Sequence, residues 1–251
     1  LTSIGGDNNS GLMISGFMNV TGNMASGLHF SGVANITGQS FGGLMASGLL
    51  NVVGEHMNGL QIAGIANITA SKLNGVQVAL CNYATKARGL QIGLVNYYKE
   101  DMKGFQLGLV NANPDTKVQM MVYGGNATPA NIGVRFKNQL FYTILGVGSM
   151  YQGLNDKFSA SASYRAGLSF PLYKGLSISG DLGYQHIEAF DNKDEVIPKR
   201  LYALQARANL EYQFTKKFGI FATGGYGLTR FYNKSSNYDK GAIIEAGIVL
   251  F

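Results

Sequence analysis

The sequence predicts an all-β chain in two parts: a β-solenoid-like repeat region over 1–113 and an antiparallel transmembrane β-barrel of about eight strands over 114–251. Three observations predict it. A glycine recurs at near-constant spacing through the first half, an asparagine follows each glycine at a near-constant distance, and the second half alternates polar and apolar residues with aromatics near segment ends. Composition agrees. Glycine numbers 35 of 251, Tyr and Phe number 14 each, and charged residues are only 14%, against roughly 25% for a typical soluble domain.

The repeat glycines are Gly11, Gly27, Gly43, Gly59, Gly75, Gly89 and Gly104, spaced 16, 16, 16, 16, 14 and 15 residues apart. Seven or eight residues after each comes Asn19, Asn35, Asn51, Asn67, Asn82, Asn96 and Asn111. An apolar residue follows each glycine (Leu12, Leu28, Leu44, Leu60, Val76, Leu90, Phe105), and Phe41, Met57, Leu73 and Met102 precede the later ones. A short fixed period over seven copies signals repeat architecture, and the glycines exclude helical repeats.

Two readings fit. In one, each copy is a coil of a solenoid with short strands at the Leu-x-Ile and Ile/Val-x-Asn segments. Apolar residues then point inward, the asparagines stack as a ladder at one corner, and corners absorb the length changes. In the other, each copy is a nine-to-eleven-residue tilted strand, and the repeats belong to one larger barrel of about 14–16 strands. A one-copy period, with no hairpin period, and scarce aromatics before residue 97 favour the solenoid. The triplets at Asn19, Asn35 and Asn67 match a glycosylation acceptor, but recur because the repeat recurs.

After Pro114 the alternation sharpens. In 200–214 Tyr202, Leu204, Ala206, Ala208, Leu210, Tyr212 and Phe214 oppose Leu201, Ala203, Gln205, Arg207, Asn209, Glu211 and Gln213. In 158–170 the Phe158–Phe170 face opposes serines and Arg165, and in 175–187 Leu176, Ile178, Leu182 and Tyr184 oppose Ser177, Ser179, Asp181 and Gln185. Expected strands are 117–124, 130–136, 139–151, 158–170, 174–188, 200–214, 217–231 and 240–251, joined by tight turns at one end and longer polar loops at the other. Arg165, Asp181, Arg207, Glu211 and Glu245 should face the interior, because Arg facing lipid at the midplane costs ~2–4 kcal/mol. Eight strands leave a lumen just filled by side chains, so these charges would plug it, whereas a barrel enlarged by the repeats could hold water. Phe251 falls on the Glu245 face, which a bulge or a non-lipid role for that residue would reconcile.

The second half resembles bacterial outer-membrane β-barrels, with Phe251 resembling their closing aromatic residue. The copies GLQIGLVN (89–96) and GFQLGLVN (104–111) resemble surface-repeat proteins of Gram-negative, Bacteroidota-like bacteria, a resemblance that covers roughly residues 11–112. It implies a place in the outer membrane of a Gram-negative bacterium, with membrane lipid, lipopolysaccharide and other outer-membrane proteins as partners. It implies no activity.

No close-spaced set of residues points to catalysis or a metal. His29, His56 and His186 are far apart, and His186-Ile187-Glu188 lacks a neighbouring serine motif. Gly124-Gly125 and Gly224-Gly225 are not followed by helices, so they read as relief of crowding. Asp191, Lys193, Asp194, Glu195, Lys199 and Arg200 read as a solvated loop. The net charge of +6 is spread without a Lys/Arg cluster, so no nucleic-acid partner is expected. Cys81 is expected to be a small buried apolar side chain. No apolar run reaches 18 residues, so no transmembrane helix is expected, and a start at Leu1 fits either a removed signal peptide or a longer precursor. The expected role is non-enzymatic, without a cofactor: structure or interaction in the envelope, either as a scaffold or as a subunit of a larger complex. A porin-like channel or a surface adhesin is the alternative.

Overall fold

The structure, a computed structural model, describes residues 1–151, 154, 158–190, 200–232 and 237–251. The three longer inter-strand connections fall largely outside these residues, as does the charge run from Asp191 to Lys199. Twenty strands are present among the described residues, in two compact units, Leu1–Asp115 and Thr116–Phe251.

The first unit is a solenoid of parallel strands, and the larger barrel of about 14–16 strands is not formed. Its strands are β1 (Thr2–Gly5), β2 (Asn8–Ser15), β3 (Met18–Thr21), β4 (Met24–Ser31), β5 (Ala34–Thr37), β6 (Ser40–Ser47), β7 (Leu50–Val53), β8 (His56–Ala63), β9 (Ala66–Val78), β10 (Cys81–Ile92), β11 (Val95–Leu107) and β12 (Val110–Ala112). Each early coil has one long and one short strand, stacked in register so that Gly27 pairs with Gly43 and Asn35 with Asn51. From β9 onward a short and a long strand run together as one: the first half of β9 pairs with β7 and its second half with β8. The length changes fall at corners. Two residues, Ala79 and Leu80, follow the Ile62-equivalent Val78 where three follow Ile62, and a register shift lies between Ala84 and Lys86.

The repeat glycine is dictated by backbone geometry. All seven have positive φ, from 101° at Gly11 to 147° at Gly104. A Cβ added to Gly59 would lie 2.0 Å from the Gly43 carbonyl oxygen of the coil below. Only glycine can therefore stack on glycine at this point.

One expectation is reversed. The Leu-x-Ile residues point outward: Leu12 is 62% exposed, Ile14 66% and Phe105 75%. The residue between them points in, and it is Met45, then Gln61, Gln77, Gln91 and Gln106 along the stack. Strand alternation allows either face to be buried, and the repeat uses the polar residue for the interior because its amide finds a partner on the next coil. The inward apolar residues are Ala25, Phe41, Met57, Leu73 and Ala87, which precede the glycine by two and form the core with Met45, Val53 and Ala84. Cys81, expected to be buried, is exposed, because it occupies an outward position of β10 one residue before the inward Asn82.

The second unit is a closed antiparallel barrel of β13 (Lys117–Gly125), β14 (Ala130–Asn138), β15 (Phe141–Ser149), β16 (Ser159–Tyr173), β17 (Leu176–Ala189), β18 (Arg200–Thr215), β19 (Phe218–Phe231) and β20 (Asn237–Leu250). Closure comes from β13 pairing with β20, Met120 opposite Leu250. No strand is left with an unpaired edge, which removes the usual route to aggregation. The tight turns sit one to three residues later than the sequence suggests, at Gln139-Leu140, Lys174-Gly175 and Lys216-Lys217. Gln139 and Gly175 have positive φ, as tight hairpins require. The alternation read from sequence holds in β16, β17 and β18, with Arg165, Asp181, Arg207 and Glu211 buried and Leu168, Leu182, Leu204 and Leu210 exposed.

The glycine column gives a direct test. Gly59→Ala is expected to destabilise the repeat unit by more than the ~1–3 kcal/mol of a strained left-handed residue, because a clash adds to it. Gly16→Ala, whose methyl would meet nothing within 4 Å, should stay within about 0.5 kcal/mol of the parent. Guanidinium unfolding followed by circular dichroism distinguishes them.

Candidate functional site

Two side-chain ladders organise the interior of the solenoid. Each repeat asparagine is the second residue after a corner, and all seven are at most 2% exposed. The Nδ2 of Asn19 donates to Asn35 Oδ1 at 2.8 Å, Asn35 to Asn51 at 2.9 Å, and Asn51 to Asn67 at 2.9 Å. Asn67 donates to Asn82 at 3.0 Å, Asn82 to Asn96 at 2.9 Å, and Asn96 to Asn111 at 2.9 Å. The second Nδ2 proton caps a backbone carbonyl just before the next corner, as in Asn51 to Ile62 at 2.7 Å and Asn82 to Ile92 at 2.8 Å. The amide therefore satisfies corner carbonyls that no strand partner can reach. Burial also closes the Asn19, Asn35 and Asn67 triplets to glycosylation in the folded chain.

The second ladder was not singled out in the sequence. Gln77 Nε2 donates to Gln61 Oε1 at 2.8 Å, Gln91 to Gln77 at 2.9 Å, and Gln106 to Gln91 at 2.8 Å. It runs in the opposite sense to the asparagine ladder, so the amide dipoles of the two columns oppose each other. The signal was present as the Gln of GLQIA, GVQVA, GLQIG and GFQLG. His29 holds an earlier position of this column, buried edge-on against Phe41 at 4.8 Å, while His56 is outward.

The barrel lumen is bridged by three arginines and three carboxylates in two groups. Arg135 on β14 meets Glu211 on β18 through two hydrogen bonds of 2.6 and 2.9 Å. Counting strands around the barrel, β14 and β18 are diametrically opposed. Arg165 on β16 binds Asp181 twice at 2.8 Å and lies 3.5 Å from Glu245 on β20, again the opposite strand. Arg207 reaches the same Glu245 at 3.1 Å. Asn209 and the Tyr142 hydroxyl complete the Asp181 shell at 2.9 and 2.8 Å. All five interior charges predicted from sequence are buried: Arg165, Asp181, Arg207 and Glu245 join in one network, and Glu211 pairs separately with Arg135. Arg135 was missed, although Asn131, Gly133 and Arg135 alternate with Ile132, Val134 and Phe136 as clearly as the residues of β18 do.

The narrow lumen is filled by pairing large side chains with glycine. A Cβ on Gly183 would lie 2.9 Å from the Arg207 guanidinium and 3.2 Å from Arg165 Cγ. Two apolar clusters share the lumen with the ionic groups. One contains Met121, Tyr123, Tyr142, Ile144, Phe221 and Val249 with Phe251 against it, so the last aromatic residue packs inward, as its place on the Glu245 face implied. The other, at the loop end, contains Tyr151, Leu154, Ile187, Ala189, Leu201 and Ala203. Tyr151 also crosses to Thr229 at 2.7 Å.

No family model and no curated protein matches the chain. Solved structures do. The N-terminal β-barrel domain of Pseudomonas aeruginosa OprF is 17% identical, with a TM-score of 0.35, over 53% of this chain and 93% of that one. Neisserial surface protein A (NspA) is 8% identical, with a TM-score of 0.33, over 53% of this chain and 92% of that one.

Outside the barrel wall, His186 hydrogen-bonds through Nδ1 to the Tyr232 hydroxyl at 2.7 Å and faces Glu188 at 3.3 Å, with Arg200 3.0 Å from the same carboxylate. Its neighbours are aromatic and carboxylate groups, with no serine among its described hydrogen-bond partners. Tyr184 and Tyr202 stack beside it at 6.2 Å, and Tyr202 meets Tyr232 at 5.1 Å. Among the described residues no group of three His, Cys, Asp or Glu converges for a metal ion.

Two substitutions test these networks. Asn51→Ala leaves the Ile62 carbonyl and Asn67 Oδ1 without a donor, at ~1–3 kcal/mol each, and should lower the unfolding free energy accordingly. Glu245→Gln removes the carboxylate shared by Arg165 and Arg207, and is expected to cost about 3–5 kcal/mol. Loss of the barrel's folded gel mobility at a lower temperature than the parent would report it.

Proposed function

We propose that the barrel is an outer-membrane anchor: it holds the chain in the bilayer, performs no chemistry, and conducts neither ions nor solutes. The chain's role on this reading is structural or interactive, within a larger assembly of the envelope. The supporting observation is the contrast between the two surfaces of the barrel wall. Inside, six charges pair within the lumen. Outside, the described positions between two sets of aromatic residues carry no charge.

Those aromatics lie where interfacial rings belong. Towards the loop end are Tyr184, Tyr202, Phe158 and Phe190, with Phe158 and Phe190 5.8 Å apart. Towards the turn end Tyr212, Phe214 and Phe218 pack at 4.8 and 6.0 Å. From Tyr202 to Tyr212 is ten residue steps along β18. At ~3.4 Å per residue and a tilt of about 40°, that spans roughly 26 Å, close to the ~25 Å apolar band of outer-membrane barrels. Tight turns at one end and longer connections at the other match the periplasmic and exterior ends of such barrels.

The porin-like alternative needed the repeats to join the barrel wall, and they form a separate parallel unit. The purified full chain in planar bilayers is expected to show no stepwise conductance, and in cells it should fractionate with outer membranes and migrate heat-modifiably on gels. Reproducible channel steps would contradict the closed lumen. Recovery in the soluble fraction would contradict the anchor.

A further inference from the structure

We propose that the apolar side of the solenoid, like the barrel, is covered by lipid acyl chains. The outward rows make the case. One runs from Leu12 to Phe105 and a second from Ile14 to Leu107, on the part of the long strands that follows the glycine. A third follows the corner from Phe17 to Leu109, and a fourth lies on the short strands from Val20 to Tyr97. No position in these rows carries a charge. The opposite is true before the glycine, where the outward residues are Ser10, Asn58, Lys72, Arg88 and Lys103 among others. Seven coils at ~4.8 Å give a band roughly 29 Å long, and the eight residue steps from Leu12 to Val20 at ~3.3 Å give it a breadth of about 26 Å along the chain, an area on the order of 750 Å². The largest apolar patch of an ordinary soluble monomer is about 300–600 Å².

The chemistry of the band selects its occupant. A protein interface of this area would carry about one hydrogen bond per 100–200 Å². The side chains of these rows offer almost no donors or acceptors: the Tyr83 hydroxyl turns to Thr85 at 3.4 Å, and Tyr83 stacks on Tyr97 at 5.8 Å. Row identity drifts among Leu, Val and Phe, or Ile, Ala and Leu, without a repeating shape. A fluid hydrocarbon tolerates that drift, whereas a packed partner surface must match it. The interior is mixed: asparagine and glutamine columns are buried beside an apolar core of Phe41, Met45, Met57 and Leu73, so the outward rows are apolar although the unit already has a core. The buried amides pair with one another and with backbone carbonyls, as an apolar surrounding requires.

Cys81 is the single cysteine, lies on this face and is exposed, so the unaltered chain carries its own probe. The full chain is labelled there with bimane and reconstituted into phosphatidylcholine–phosphatidylglycerol vesicles, with and without acyl-chain bromination. Two reference probes are placed on a Cys81→Ala background: Ser10→Cys on the polar side of the solenoid and Leu210→Cys on the barrel. The expected result is loss of Cys81 emission in brominated vesicles comparable to that at Leu210→Cys, with Ser10→Cys unchanged. Quenching at Leu210→Cys without quenching at Cys81 overturns the proposal while leaving the barrel in its membrane. Absence of quenching at both overturns the membrane placement of both units. Copper-catalysed Cys81–Cys81 disulfides between copies, with Cys81 unquenched, would assign the band to a second copy and equally overturn the proposal.

Discussion

Internal pairing of strand edges is the constraint from which the rest of this molecule follows. A β-strand has a row of backbone donors and acceptors on each edge, and leaving them unpaired in a water-poor setting costs several kcal/mol per group. The chain meets the constraint twice by different geometries. In Thr116–Phe251 an antiparallel sheet closes on itself through β13 and β20. In Leu1–Asp115 parallel strands stack coil on coil, and each inner coil supplies the partners of the next, while β1, β2 and β12 at the two ends have a partner on one side only. Once the backbone is satisfied internally, side-chain polarity is free to invert in part: in both units polar ladders or ion pairs share the interior with apolar clusters, while aliphatic rows face outward.

Inversion creates a second problem, because a buried polar group is as costly as an unpaired backbone if it lacks a partner. The two units again differ. The solenoid uses translational repetition: an amide in one coil finds the same amide in the next, so a single residue type at a single position pairs with itself. The barrel has no repeat and pairs unlike groups, Arg135 with Glu211 and Arg165 with Glu245 across the lumen and Arg165 with Asp181 on the neighbouring strand. A ladder of neutral amides avoids desolvating charge, while a bridged lumen needs charge balance, and three arginines face three carboxylates.

Much of this was legible in the sequence because period and face are written in it. The glycine and asparagine columns and the β18 faces follow from spacing alone, and the barrel strands lie close to where the alternation placed them. What failed was polarity in the repeats. Alternation says that Leu12 and Ile14 lie opposite Met13, but not which side is inside, and the rule that apolar residues point inward put the aliphatics in. The glutamine column would have corrected it, since four glutamines at one phase have little reason to align unless they bond to one another. Cys81 was misplaced because residue type alone, without its phase beside Asn82, was read as burial. The lumen pairings were legible as a set of inward charges, but their partners depend on which strands oppose one another around the closed barrel, and that is a property of closure.

The central claim is that hydrocarbon meets the aliphatic face of these strands while the polar face is sealed within. It is tested most directly by spin-label accessibility along β18 from Ala203 to Leu210 in reconstituted full chain, comparing collisions with oxygen, which concentrates in acyl chains, and with a water-soluble nickel chelate. The account predicts strict alternation, with labels at Leu204, Ala206, Ala208 and Leu210 open to oxygen and closed to the chelate, and labels at the intervening positions shielded from both. Loss of the two-residue period, or ready access of the chelate to the even-numbered positions, would contradict it.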